Sequence, residues 1–159
     1  MRLKYDKCVD ILKTVMASKL TVRQLVKQTL RTLPLKYIEE ASNVICSKVF
    51  SLQVFTLCTT ICLYLPMKQE VQTLALLSNS FAANKNVLIP NVVGKTREDM
   101  WLVPIKSIAE LETFPLSAWG IPEPPRDLYT KNDDFTESGA IDLIIVPGVA
   151  FDSKCKPTI

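Results

Sequence analysis

Thr60-Ile61-Cys62-Leu63-Tyr64-Leu65, closed by Pro66, is the stretch whose reading decides the fold. It carries no charge and no polar–apolar alternation, so it reads as a strand covered on both faces, the mark of a parallel strand in an α/β sheet. A second strand-like run, Ile141-Asp142-Leu143-Ile144-Ile145-Val146, apolar but for Asp142, ends at Pro147-Gly148. Between the two, the pattern predicts a helix over residues 70–83 and a strand over 86–89 ahead of Pro90. A strand over 99–105 follows, with the alternation of a sheet edge, then a short helix over 107–112 and a proline-rich loop over 119–125. Upstream, Val22, Leu25, Val26, Thr29 and Leu33 recur at helical spacing over residues 18–33. Ile38, Ala41, Ile45, Val49 and Leu52 do the same over 35–52. Strands alternating with helices predict a three-layer α/β domain, a mostly parallel sheet with helices on both faces. Ligands of such sheets bind beyond the carboxyl ends of the strands. That singles out the loops at residues 65–70, 90–100 and 147–152.

Composition excludes several chemistries. The 159 residues are 48% apolar and 22% charged and include no histidine. A Ser-His-Asp triad, a Cys-His pair and His-ligated zinc are therefore excluded. The four glycines, Gly94, Gly120, Gly139 and Gly148, are too scattered for a dinucleotide fingerprint or a phosphate loop. The five cysteines are odd in number and lack metal-site spacing, which suits reduced thiols in a cytoplasmic protein. The net charge of +3 is uneven, because residues 1–36 hold nine Lys/Arg against two Asp. Residues 49–67 run for 19 residues without a charge, long enough to span a bilayer. Their Ser, Gln, Thr and Pro content favours a helix end leading into a buried strand instead.

Individual residues then suggest a site. Lys19 and Arg23 share a helical face and suit a phosphate, the Arg through a forked pair of hydrogen bonds and the Lys as a mobile charge. A solvated basic face is the competing reading. Glu70 falls at the predicted start of a helix, where acids are favoured electrostatically in any case. Trp119, in Trp-Gly-Ile-Pro-Glu-Pro, suits stacking on a flat heterocycle or the capping of a core.

Taken in order, these pieces resemble the 5-formyltetrahydrofolate cyclo-ligase (methenyltetrahydrofolate synthetase) family. The blocks that carry the resemblance are Ser18-Lys19-Leu20-Thr21-Val22-Arg23, Tyr64-Leu65-Pro66-Met67 leading to Glu70-Val71 and Thr73, Leu88-Ile89-Pro90, and Asp99-Met100. Ser117-Ala118-Trp119-Gly120-Ile121-Pro122-Glu123-Pro124 and the run from Ile141 to Asp152 complete them. The resemblance implies cyclisation of 5-formyltetrahydrofolate to 5,10-methenyltetrahydrofolate with ATP and Mg²⁺, releasing ADP and phosphate. It implies Lys19 and Arg23 as ATP-phosphate ligands, Leu65 and Glu70 as folate contacts, Met100 and Trp119 as lining of the pterin pocket, and Pro147-Gly148 as the turn opening the catalytic loop. No catalytic side chain and no metal ligand is assigned in this chain. A cytoplasmic monomer is implied, with no nucleic-acid or membrane partner.

Two departures from the family pattern set further expectations. Residues 1–15 read as an N-terminal extension and residues 16–159 as the cyclo-ligase-like domain. After Asp152 the family continues into an Arg- and Gly-rich ATP loop, whereas here Ser153-Lys154-Cys155-Lys156-Pro157-Thr158-Ile159 follows. The expectation is a fold truncated in its C-terminal part and prone to associate through exposed sheet edges. The alternative to a cyclo-ligase is then an inactive folate-binding or regulatory remnant.

Overall fold

The computed structural model describes residues 19–151. The extension read at residues 1–15 lies outside them, as do Cys8 and Cys155. Among the described residues, those up to Leu33 and those from Gly148 onward form one compact unit, and Pro34–Pro147 form another. In the first unit, helix α1 (Lys19–Arg31) covers the first predicted helix. Its end is tightened by Thr32, whose hydroxyl donates to the Thr29 carbonyl at 2.8 Å. Helical spacing sets Lys19, Arg23, Lys27 and Arg31 along one face.

The second unit is built around β1 (Thr60–Leu63), buried at all four positions. Helices α2 (Leu35–Phe50) and α3 (Gln53–Leu57) precede it, and α4 (Leu74–Ala82), β2 (Asn86–Val92), β3 (Met100–Ile105), α5 (Ile108–Glu112) and β4 (Leu143–Ile145) follow. The strand order is β3-β2-β1-β4. β1 pairs in parallel with β2 on one side and with β4 on the other, while β3 closes the far edge antiparallel to β2. The sheet is thus mixed and mostly parallel, in an α/β fold.

Side chains alternate between the two sheet faces. Ile61, Leu63, Val87, Ile89, Val103 and Ile105 point into the main core, where Cys46 of α2, Phe55 of α3, Leu76 and Leu77 of α4, and Leu111 of α5 meet them. Cys62, Leu88 and Leu102 point to the opposite face, where Phe135 and Ile141 pack over them. Within Pro34–Pro147 the helices therefore cover one face and coil covers the other.

Two prolines lie inside strands, and the ladder explains why they are tolerated. β2 runs through Pro90 to Val92, three residues beyond the predicted end. β1 pairs with β2 only as far as Leu88, so the side of Pro90 that lacks an N–H faces no β1 partner. Its cross-strand neighbour Leu102 turns both backbone groups outward. The Leu102 N–H donates to Asp134 Oδ1 at 3.0 Å, and the Leu102 carbonyl accepts from the Phe135 N–H at 2.9 Å. Pro104, on the same edge, needs no donor, and its carbonyl accepts from the Tyr129 hydroxyl. The β3 edge is thereby closed against further pairing.

The structure corrects three details. The helix predicted over residues 70–83 begins at Leu74, because Glu70 to Thr73 spend their hydrogen bonds on the loop described below. The buried stripe of α2 passes through Ile38, Ser42 and Cys46 rather than Ala41 and Ile45, and Ile45 is exposed. The uncharged window at residues 49–67 divides into the end of α2, the extra helix α3, and β1. Among the described residues no helix is long and apolar enough to cross a membrane.

Two carboxylates fasten the sheet. Asp142 Oδ2 accepts from the Thr59 N–H, the Thr59 hydroxyl and the Thr60 N–H at 2.8–2.9 Å, tying the entrance of β4 to that of β1. Asp134 sits beside the β3 edge. Burial alone would raise its pKa, but bonds from Lys131, Thr136 and the Leu102 N–H outweigh burial and hold it well below the usual carboxylate range. A carboxylate depressed in the folded state binds fewer protons there than in the unfolded chain, so stability rises with pH across that interval. We expect urea midpoints to fall as pH drops below about 4, and Asp134→Asn to flatten that fall while lowering stability at neutral pH.

Candidate functional site

The parallel register carries the exits of β1, β2 and β4 to one edge of the sheet, and antiparallel β3 starts there, with Met100 opposite Val92. Two of the three loops expected to carry ligands, at residues 65–70 and 90–100, flank this edge. The third leaves β4 at Pro147 and continues into the other unit at Gly148. In that unit the tip of the exposed Phe151 ring lies over Gly148, where a Cβ would meet it at 2.3 Å and the ring would have to swing aside.

The loop after β1 is held by its own polar groups. The Tyr64 hydroxyl donates to the Val71 carbonyl at 2.9 Å, and the Thr73 hydroxyl donates back to the Tyr64 carbonyl at 2.8 Å. Thr73 stands at the N-cap position of α4 yet makes no cap, because its hydroxyl is committed to this clasp. Burial pushes the Tyr64 phenol up to about 12, helped by the nearby Glu70 charge, so it remains a neutral donor. Glu70 Oε2 accepts from the Met67 N–H at 2.9 Å, and the Glu70 N–H donates to the Met67 carbonyl at 3.0 Å. Oε1 has no hydrogen-bond partner among the described residues, so the carboxylate is oriented but only half used. Gln72 closes the turn, with Nε2 donating to the Met67 and Glu70 carbonyls at 3.1 and 2.8 Å.

The loop between β2 and β3 is a second rigid turn. Asp99 Oδ2 accepts from the Lys95 and Thr96 N–H groups at 2.8 and 2.7 Å, one half of a reciprocal box with Thr96. The Thr96 backbone and side-chain bonds, followed by the Lys95 N–H, hold the Asp99 carboxyl below its ordinary range. Gly94 lies against this carboxylate, and a Cβ there would meet Oδ2 at 2.3 Å.

The candidate ligand residues divide accordingly. Glu70 and Met100 both lie at the carboxyl edge, one after β1 and the other at the start of β3, and Met100 is half exposed. Leu65 follows β1 at the same edge, but its side chain is 9% exposed and belongs to the main core. Trp119 occupies a separate turn after α5, where Ser117 Oγ accepts from the Trp119 and Ile121 N–H groups and Gly120 adopts a φ of +73°. Its indole is 74% exposed and free to stack. Lys19 and Arg23 lie on α1 in the other unit, and the Lys19 side chain is outside what the structure describes.

Sequence reading missed Ser42, Tyr64 and Gln72 as builders of the site. The Thr96-x-x-Asp99 spacing is a capping-box signal that was there to be read. Cys46, Cys58 and Cys62 are free and buried, and burial raises the Cys62 thiol to about 11, which fits packing rather than reactivity. Among the described residues no three His, Cys, Asp or Glu side chains gather to hold a metal ion.

The model of the 5-formyltetrahydrofolate cyclo-ligase family matches residues 15–156. The chain belongs to that family. A Schizosaccharomyces pombe relative named "Probable 5-formyltetrahydrofolate cyclo-ligase" is 36% identical over 134 residues, which is 84% of this chain and 62% of the relative. The mouse 5-formyltetrahydrofolate cyclo-ligase is 27% identical over 87% of this chain and 67% of its own length. The solution structure of Aquifex aeolicus 5,10-methenyltetrahydrofolate synthetase superposes with a TM-score of 0.63 at 28% identity, over 84% of this chain and 62% of that one. This cyclo-ligase family member thus spans about three fifths of the length of the S. pombe relative and of the solved structure.

The rigidity of the second loop is directly testable. Gly94→Ala must displace a carboxylate fixed by two N–H donors, and overpacking of this kind costs about 1–3 kcal/mol. Its urea midpoint should fall below that of an exposed control such as Gly139→Asn, whose site is open and whose φ of +66° asparagine tolerates.

Proposed function

We propose that this chain acts in folate one-carbon metabolism as an ATP-dependent cyclo-ligase, converting 5-formyltetrahydrofolate to 5,10-methenyltetrahydrofolate with release of ADP and phosphate. The observation that carries the reading is the β1 exit loop, which holds Glu70 with one carboxylate oxygen free at the carboxyl edge of the sheet. A free carboxylate oxygen in a fixed turn suits the N–H donors of a pterin-like ring.

In this reading the formyl oxygen takes the γ-phosphoryl group of ATP, the folate N10 attacks the activated formyl carbon, and phosphate leaves as the ring closes. ATP supplies the activation, so the protein mainly aligns two ligands and balances charge, which needs no histidine. Glu70 anchors the folate, Met100 and the exposed Trp119 indole offer apolar and stacking surface, and Leu65 acts through the backbone it holds in place. Lys19 and Arg23 serve the ATP phosphates from α1. Mg²⁺ would accompany ATP as its counter-ion; the described residues offer it no carboxylate cluster, and no step is assigned to it. We place the protein in the cytoplasm, as a monomer, with the domain beginning near residue 16.

Purified chain mixed with 5-formyltetrahydrofolate, ATP and Mg²⁺ should develop the absorbance of the methenyl product. Glu70→Ala should weaken folate affinity about tenfold or more, the scale of a lost charged hydrogen bond, and leave ATP affinity unchanged. Lys19→Ala and Arg23→Ala should do the reverse. Folate binding without turnover would support a binding module over an enzyme; absence of both would refute the proposal.

A further inference from the structure

We propose that Gln72 is the positioning residue for Glu70, setting the direction of its free carboxylate oxygen; the inference rests on Glu70 being the folate anchor. Glu70 is held at one end only by the Met67 N–H. A glutamate fixed by a single bond on a free turn would sample several rotamers and lose that freedom on binding. Gln72 removes this freedom from the backbone side. Its amide bridges the carbonyls at both ends of the Met67–Glu70 turn, so the two residues joined by the carboxylate are also joined through Nε2. Two carbonyl acceptors demand two donors from one atom, which only the amide nitrogen supplies, so the orientation of the Gln72 amide is unambiguous.

The bridge is anchored in the core through the backbone of Gln72. Its N–H donates to Ser42 Oγ at 2.9 Å, and the Ser42 hydroxyl donates to the Ile38 carbonyl at 2.6 Å. Ser42 is 2% exposed, on the inward stripe of α2. The Cys46 thiol, one turn further along α2, donates to the Gln72 carbonyl at 3.5 Å. α2 therefore fixes Gln72, Gln72 fixes the turn, and the turn fixes Glu70. This polar stripe also explains why the buried face of α2 departs from the purely apolar pattern.

The test uses Gln72→Glu and Gln72→Met, which keep the side-chain length but remove both donors, one with a new charge and one without. Both should speed amide hydrogen exchange at Met67 and Glu70 while leaving Ile61 to Leu63 of β1 protected. Both should weaken 5-formyltetrahydrofolate binding about tenfold, with ATP affinity unchanged. Unchanged exchange at Met67 and Glu70 overturns the positioning role whether or not folate binds. Faster exchange with wild-type folate affinity overturns its link to the ligand. If the unmutated chain binds no folate, the reading of Glu70 fails, and the exchange result still decides whether Gln72 orders the turn. Loss of protection throughout β1 would mark Gln72 as a general stability residue and overturn the proposal.

Discussion

The two-sided pairing of β1 is the constraint on which the rest of the molecule depends. Four consecutive residues are buried and hydrogen-bonded to β2 and β4, so neither face nor edge of this strand meets water. A strand in that position can leave only through an end, and its parallel neighbours leave at the same end. The chain beyond Leu63 stays buried through Leu65, so the first residues free to form a ligand surface come after Pro66. The site's location thus follows from sheet topology, before any particular side chain is considered.

At that edge the protein invests in order more than in reactive groups. Two short turns carry carboxylates that satisfy backbone N–H groups, Glu70 in one and Asp99 in the other. Each acid accepts through one oxygen, Glu70 Oε2 from a single N–H and Asp99 Oδ2 from two, and the Asp99 oxygen also lies against Gly94. In the function proposed above, Glu70 faces the folate and Asp99 braces the frame. A site of this kind contributes alignment and fixed charge, and it suits a reaction whose activation comes from a phosphoryl donor.

Much of this was legible in the sequence, and the exceptions share a cause. The central strand, the edge character of β3, the helix after Ser107 and the loops that leave β1 and β2 all follow from hydrophobic runs and breakers, which are local signals. Glu70-Val71-Gln72-Thr73 looks like a first helical turn, but the Glu70 N–H goes to the Met67 carbonyl and the Gln72 N–H to the remote Ser42, so α4 starts later. The stripe of α2 was misplaced because Ser42 and Cys46 face inward for polar reasons that apolar periodicity does not register. The continuation of β2 through Pro90 depends on where β1 stops pairing, a fact of the sheet rather than of the proline. Family resemblance brought Glu70 forward, and nothing in the local sequence pointed to Gln72.

The central claim is that the edge formed by the β1 exit loop and the β2–β3 turn receives the folate. Amide chemical-shift mapping during titration with 5-formyltetrahydrofolate tests it most directly. The account predicts that the largest shifts fall on Met67 to Gln72 and on Val93 to Met100, with the outer face of α2 at Asn43, Val44 and Ser47 silent. Shifts concentrated on that outer face, with the carboxyl edge unmoved, would contradict it.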